Sequence, residues 1–570
     1  MFQDAETYNL GISALQWLGI VLVSGIVALI VGTVIAVVTL GKEGVSAVID
    51  TLKRGVVDLT QLSWRRISAL AYLALKESLA RRALLVLGTF IVLFMAANLF
   101  LRTPEENVPA KPYVSFVLTV VRWLLIPVAL LLSCWGLPAD IKDRSLHTVV
   151  TKPVRRSEIV IGRMLGYGVM TTFVLVVVSI FGFVWIKRVV PTRSQAQLVS
   201  RVPIFSSAED PDDAFYFVDR AGNRQKRGIN TGDVWDFRSF IEGQTSSHVV
   251  WNFQDVSESI AKDDHLRLEY RLEAFRSWKG NVDEGEGVRF RLFLVNEEKN
   301  LRAPFPDTGA GIEIKEFAQE TVRSATSKNE EDQAVLSIPR QLRLAQAGGT
   351  SATEETVDLF NDIVDENGQL QVELYCEDSG QYIGAARTDL FIRLPDRPFA
   401  SGYFKAMLGI WLMVLLVIMI GTTASTFLKG PVATLLTFGL VILGSPLRSY
   451  MEEQYTEKFT TGKVLGGGML ESAYRLVTQA NQQVELPDNA GTRIIQALDE
   501  GVFNIVAIVR NVIPDFRHFN MTQYVANGFD VPFNDAGAAV LPSIVTVLGF
   551  FIPCVILGYF SLQLRELESK

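Results

Sequence analysis

The sequence contains no Gly-x-x-x-x-Gly-Lys-Ser/Thr, so it has no phosphate-cradling loop of that type. Its nearest fragments, Gly41-Lys42-Glu43 and Gly462-Lys463-Val464, lack the hydroxyl that would hold magnesium. No His-Glu-x-x-His and no Gly-x-Ser-x-Gly occur. There are only four histidines, His147, His248, His265 and His518, and no pair has metal-ligand spacing. The chain is therefore expected to be no enzyme, with no catalytic residue, metal site or cofactor of its own. Three cysteines do not make a disulfide framework. Cys134 and Cys554 fall inside apolar runs and Cys376 has no evident partner, so all three are expected as free packing residues. A formal net charge of −7 without a basic patch excludes nucleic acid as a partner.

What the chain does have is hydrocarbon: 49% of its 570 residues are hydrophobic, and they are gathered in runs. Residues 15–40 are almost uninterrupted, too long for a signal-peptide core and followed by no clear cleavage site. They predict an extra N-terminal transmembrane helix over 13–41 with its start outside, because Lys42, Lys53, Arg54, Arg65 and Arg66 hold the next flank in the cytoplasm. Further runs cover 83–101, 114–137, 159–186, 403–427, 432–444 and 541–562. The expectation is a polytopic α-helical membrane protein of about seven spans, with the lipid bilayer as its first partner. The run 432–444 is short, and Ser445-Pro446 is expected to end it. Between the first two runs, 42–82 reads as a cytoplasmic linker and an interfacial elbow helix. In RRISALAYLALKESLARR, residues 65–82, apolar positions recur at helical spacing between basic ends. Arg122 and Arg163 fall near or within runs. Arg163 is close enough to an end to snorkel, which leaves Arg122 as the intramembrane candidate.

Two stretches are not membrane-like. Residues 188–400 predict an extracytoplasmic β-sandwich insertion. LRLEYRLEAF, residues 266–275, alternates strictly, with Leu266, Leu268, Tyr270 and Leu272 on one face and Arg267, Glu269, Arg271 and Glu273 on the other. Residues 288–295, 370–376 and 388–394 repeat the pattern between turn signals such as Asn367-Gly368. Residues 311–349 are more polar and read as partly helical or disordered. Trp251, Phe253, Phe240 and the other aromatics of this region are expected in the sandwich core rather than on a binding platform. The acids around Pro211 lack calcium-loop spacing and read as a solvated turn. The second stretch, 447–540, predicts a smaller helical extracytoplasmic insertion, with helices over 471–481 and 492–513. The chain thus divides into a first transmembrane block at 83–187, a transmembrane hairpin at 401–446, a last helix at 541–563 and a cytoplasmic tail at 564–570.

The connector inside the first block, residues 138–157, contains DIKDRSLHTVVTKPVRRS. It joins two apolar runs, and its basic residues outnumber Asp140 and Asp143, so it is placed in the cytoplasm. Residues 145–151 can form a short amphipathic helix that Lys152-Pro153 stops. The order acidic, basic, small, Leu-x-Thr, then Lys-Pro-Val-Arg-Arg-Ser-Glu-Ile-Val-Ile-Gly-Arg resembles the cytoplasmic loop of ABC type-2 permeases, the membrane subunits of ABC exporters. The elbow helix with Lys76-Glu77, the small-residue turn GTTASTFLKGPVATLLT and the tail GYFSLQLRELE resemble that family too. The likeness covers residues 65–186 and 403–568, and the first helix and both insertions depart from its simplest members. It implies that Asp143, Arg144, Ser145, Leu146, Thr148, Lys152, Pro153, Arg155 and Arg156 couple the chain to a separate ATPase subunit that binds the ATP. It also implies a second permease subunit, the same chain or a paralogue, and a location in the cell (inner) membrane.

The expected function is therefore the permease subunit of an ABC transporter working in export. The competing expectation is a non-transporting anchor or sensor that presents the β-sandwich to an extracytoplasmic partner. Topology is directly testable. Cysteines introduced near Asp50 and Thr148 should resist a membrane-impermeant thiol reagent in intact cells, whereas cysteines near Gly285 and Asn489 should react. Labelling at Thr148 from outside would end the coupling-loop assignment.

Overall fold

The computed structural model describes residues 8–41, 44–80, 88–90, 92–94, 96, 110–142, 154–208, 210–229, 238–261, 264–276, 288–307, 311–314, 335–345, 352–461, 468–479, 481, 486–487 and 489–568. Among them, five helices are long and apolar enough to cross a membrane, and a separate sheet-rich region is set between the third and fourth. The run at 83–101 lies largely outside the described residues.

Helix α1 (Leu10–Leu40) is apolar all round, capped by the Asn9 side chain, which accepts from the Ile12 amide at 3.1 Å. Its sides are exposed along its whole length, as expected of a helix solvated by lipid. It is tied to the last helix where the Trp17 indole Nε1 donates to the Gly549 carbonyl at 2.9 Å. Helices α2 (Gly44–Thr60) and α3 (Trp64–Ala80) follow. Helix α3 is the expected elbow, and α2 lies in the stretch read as linker; the Val57 and Asp58 carbonyls of α2 accept from Arg155 and Ser157 at the start of α5.

Helices α4 (Lys111–Lys142) and α5 (Arg156–Val189) flank the connector. The elbow α3 packs across the start of α5 at two glycines four residues apart. A Cβ on Gly162 would stand 2.6 Å from the Leu70 Cβ, and one on Gly166 2.6 Å from the Ala71 carbonyl oxygen. Small residues at this spacing are what let helices approach closely in a bilayer. Arg163, between them, does not snorkel: it is buried and ion-paired with Glu77 of α3.

Helix α6 (Phe399–Phe427) is the centre of the bundle, packed against α4, α5 and α10 (Val540–Glu568). Tyr403 donates to the Ser179 carbonyl at 2.9 Å, the Trp411 indole to the Thr172 hydroxyl at 2.7 Å, and the Thr423 hydroxyl to the Cys554 carbonyl at 3.1 Å. Its small-residue end is a packing surface, because a Cβ on Gly421 would stand 2.2 Å from the Ser133 hydroxyl of α4. Helix α7 (Gly430–Thr461) corrects one expectation: it is apolar over Gly430–Ile442 but does not stop at Ser445-Pro446. Proline removes one helical hydrogen bond, and here that loss does not end the helix. Helices α8 (Met469–Thr478) and α9 (Ala490–Val512) complete this part, with the Asp499 carboxylate accepting from the Leu470 and Glu471 amides at 2.9 and 2.8 Å.

The sheet-rich region is sandwich-like and antiparallel throughout its ladders. Its largest sheet runs in the order Leu301–Phe305, Val288–Asn296, Leu370–Cys376, His248–Phe253, Phe215–Val218, Arg224–Gln225. A four-stranded sheet of Val335–Pro339, His265–Tyr270, Leu390–Arg393 and Pro203–Phe205 shares its core, which includes the fully buried Trp251, Phe253, Leu268 and Phe290. The alternating stretch 266–275 is not one strand. It leaves the four-stranded sheet at Tyr270 and resumes as Glu273–Arg276 in a three-stranded sheet. The break lies where the Arg271 amide donates to the Asp389 carbonyl at 2.7 Å. Residues 311–349, expected to be weakly structured, contain three strands, Ile312–Ile314, Val335–Pro339 and Gln341–Ala345. The acids near Pro211 pair with bases, Asp212 with Lys226 and Asp213 with Arg224. Burial pushes the Cys376 thiol up to about 12, as suits a packing residue.

The glycine contact between α3 and α5 can be tested. In Gly166→Val the branched side chain meets a backbone oxygen that cannot rotate away, and such overpacking costs about 1–3 kcal/mol. The unfolding temperature in detergent should fall, and a cysteine placed at the buried Ala74 should become open to alkylation. An unchanged temperature with a protected Ala74→Cys would mean that the two helices do not meet there.

Candidate functional site

Residues 143–153 lie outside the described residues, so Asp143, Arg144, Ser145, Leu146, Thr148, Lys152 and Pro153 are not placed. The two posts that hold them are. On one side, α4 ends at Lys142, having passed α5 so closely that a Cβ on Gly136 would stand 1.8 Å from the Tyr167 hydroxyl. On the other, α5 begins at Arg156, and three other helices converge on its first turn.

Glu158 is the centre of that turn. Its side chain has 0% exposure, so its charge must be met by protein groups. It accepts from the Ser63 amide at 2.8 Å, from Arg66 Nε and Nη2 at 2.7 Å each, and from the Arg155 amide at 3.1 Å. One carboxylate therefore caps its own helix and fixes the start of α3. Of the predicted coupling residues, Arg155 reaches α2, donating to the Val57 carbonyl at 2.6 Å and the Gln61 side chain at 2.7 Å. Arg156 stands beside the Tyr559 hydroxyl of α10. That hydroxyl donates to Asp58 at 3.0 Å, and Ser157 donates to the Asp58 carbonyl at 2.8 Å. Both arginines are thus part of the frame.

The opposite end of the bundle carries a second polar cluster, a neck that sequence reasoning missed. The first and last strands of the sheet region, Val199–Ser200 and Arg397–Pro398, pair side by side, so the region's two ends meet where α5 leaves and α6 begins. Residues 527–531 lie against this pair. The Arg201 amide donates to the Gly528 carbonyl and the Asp530 amide to the Arg201 carbonyl, both at 2.8 Å. Gly528 has φ 74°, a left-handed conformation that favours glycine. Asp530 binds Arg397 at 2.9 Å and Lys405 of α6 at 2.7 Å.

Glu269, assigned by alternation to the outer face, is instead 3% exposed. It pairs with Arg201 and has Arg271 and Arg393 each at 3.6 Å. The Phe529 ring lies between Arg201 and Arg271, 4.3 and 4.8 Å from the guanidinium carbons. Burial, opposed by Glu269, pulls the Arg201 guanidinium below its ordinary value. A third tie lies at Asp515, which Arg517 holds at 2.7 Å and Arg448 of α7 at 3.2 Å. Burial would raise this carboxyl, but the Arg517 bond and the nearby charges of His518 and Arg448 outweigh it and hold it at about 2.

Arg122 sits on α4 between these ends. It belongs to neither cluster, and its Nε is cut off from water with no hydrogen-bond partner among the described residues. Among the described residues no three His, Cys, Asp or Glu side chains gather as a metal site. What the arrangement offers chemically is mechanical: charge clamps at both ends of a helical bundle, and one guanidinium within it. No family model, curated protein or solved structure matches the chain.

The Glu158 clamp makes a prediction. Glu158→Ala removes the acceptor for the Ser63 amide and the Arg66 guanidinium together, and breaking a buried pair on one side leaves the other uncompensated. The variant should unfold several degrees lower, and a cysteine at Ser63 should label faster than in the parent. Equal stability and equal labelling would show that the clamp does not hold α3.

Proposed function

We propose that the chain is the membrane subunit of an ABC exporter of the type-2 permease kind, driven by a separate ATPase subunit. The observation that carries the reading is the mounting of residues 143–153. They join the ends of two membrane-length helices, and the far post is clamped to α2, α3 and α10 through Glu158, Arg155 and Ser157. A segment held at both ends passes on a force applied to it, whereas a slack loop absorbs it. Of the residues that the sequence resemblance assigns to coupling, Arg155 and Arg156 belong to that mounting, and the other seven lie outside the described residues. In this reading the mounting faces the cytoplasm and the sheet region lies outside, with 83–101 and α7 added to the five long helices to make about seven spans in the cell membrane. ATP is bound and hydrolysed on the partner. Its closure moves the connector and, through α5, the bundle. Two such membrane halves surround one pathway, so the chain pairs with a copy of itself or with a paralogue.

The anchor reading draws on the neck, since a domain whose two ends pair and whose last strand is tied to α6 through Asp530 is also what a fixed display platform needs. One experiment separates the two. Leu146→Asp places an unpaired charge in a docking surface, a change that costs several kcal/mol when the surface is buried by a partner. The ATPase should no longer co-purify, or should hydrolyse ATP without regard to substrate, while the membrane subunit is recovered at the parental level. Tyr270→Asp, in the sheet region, should leave ATPase recovery unchanged. Normal recovery and normal coupled turnover for Leu146→Asp would remove the permease reading in favour of the anchor.

A further inference from the structure

We infer that Arg122 is the binding group for the headgroup of an anionic amphiphile, one carrying a phosphate or carboxylate, taken up from the bilayer against α4. The inference needs a membrane around α4 but does not need the chain to be a transporter.

The position of the residue comes first. Arg122 lies eleven residues into α4 from Lys111, about 16 Å along the axis. It shares a helical stripe with Leu118, Leu125 and Ala129, all at 0% exposure, so its stem enters the bundle's apolar interior. Its neighbours Thr119 and Trp123 are exposed, and Trp123 is 50% exposed on the side that lipid would cover. The guanidinium therefore stands at the seam between the packed interior and the lipid-facing surface. Long side chains on a helix lean toward its N-terminus, which here is the Lys111 end. The head group accordingly lies in the half of the membrane next to the neck and the sheet region.

The lack of a partner comes second. Every other buried guanidinium discussed above is met: Arg163 by Glu77, and Arg201 by Glu269. For Arg122 no carboxylate pairs with it among the described residues, and its buried Nε has no acceptor. A charge inside a membrane is costly and is retained where it does something. The fold has met its other buried charges with acids of its own, so the missing acceptor is supplied from outside the chain. A guanidinium presents a fork of donors matched to phosphate and carboxylate oxygens. A ligand that reaches this depth beside lipid-facing residues also carries hydrocarbon, which makes it an amphiphile.

The test uses the full chain in nanodiscs of phosphatidylcholine alone or with phosphatidylglycerol added, and reads the unfolding temperature. It involves neither ATPase nor transport, so its outcome is separate from that of the proposed function. The parent should unfold higher with phosphatidylglycerol present. Arg122→Gln should lose that shift while unfolding no lower than the parent in phosphatidylcholine alone, since it removes a charge that has no counter-ion there. Arg122→Lys should keep part of the shift, and Arg188→Gln, at the exposed end of α5, should keep all of it. Inorganic phosphate added to phosphatidylcholine discs should have no effect, because the site is reached through lipid. A phosphate-induced shift that depends on Arg122 would assign the site to a small soluble anion and overturn the amphiphile. An equal phosphatidylglycerol shift in the parent and Arg122→Gln would overturn the site. So would loss of folding in Arg122→Gln, because the guanidinium would then be a structural member.

Discussion

A carboxylate without access to water must find its hydrogen bonds in the protein, and Glu158 finds four of them on two neighbours and its own helix. That requirement determines much of this end of the bundle. It fixes where α5 starts, because the Arg155 amide is one of the donors. It fixes where α3 starts, because the Ser63 amide and Arg66 are the others. With the start of α3 fixed, its course along Gly162 and Gly166 follows, and Glu77 arrives opposite Arg163. A polar group cut off from water has no solvent to fall back on, and that restricts these choices.

The end of the bundle at the sheet region meets the same problem with more groups. Three arginines, Arg201, Arg271 and Arg393, surround Glu269, and the Phe529 ring lies against the first two. Asp530, on the next residue, binds a base from the last strand and a base from α6. Three separate stretches of chain are therefore joined by charge at a point where the membrane helices end. Such a joint is strong in position and weak in net energy, because burying each ion costs much of what its partner returns. Its effect is on geometry: the sheet region is set in one orientation over α5 and α6.

These two clusters mark the limit of what could be read in the sequence. The apolar runs at 15–40, 114–137, 159–186, 403–427 and 541–562 were legible because twenty consecutive apolar residues have few other uses. The strands at 288–295 and 370–376 were legible from alternation and their flanking turns. Glu269 was not, because alternation assigns a residue to a face and says nothing about what covers that face; here the cover is Phe529, from far along the chain. Glu158 was not, because an acid following Arg155-Arg156 looks like one more solvated charge in a basic loop. Its N3 position on α5 was a local sign, but the donors from α3 were not. The end of α7 was misjudged because Ser445-Pro446 carries a local stop signal that the structure overrides.

The clusters are joined by helices of unequal stiffness. Helix α4 contains Pro127 and Pro138, and α10 contains Pro553, so each has points at which a backbone bond is missing and bending is easy. Helices α5 and α6 contain no proline, and they are the two that carry the sheet region. They are also bonded to each other midway, through Tyr403 to the Ser179 carbonyl and Trp411 to Thr172. The two prolines of α4 and the one of α10 thus flank a pair of helices whose backbone bonding no proline interrupts between the Glu158 turn and the neck. Arg122 stands five residues before Pro127, so the helix with the missing backbone bonds is also the one that carries the unmet charge.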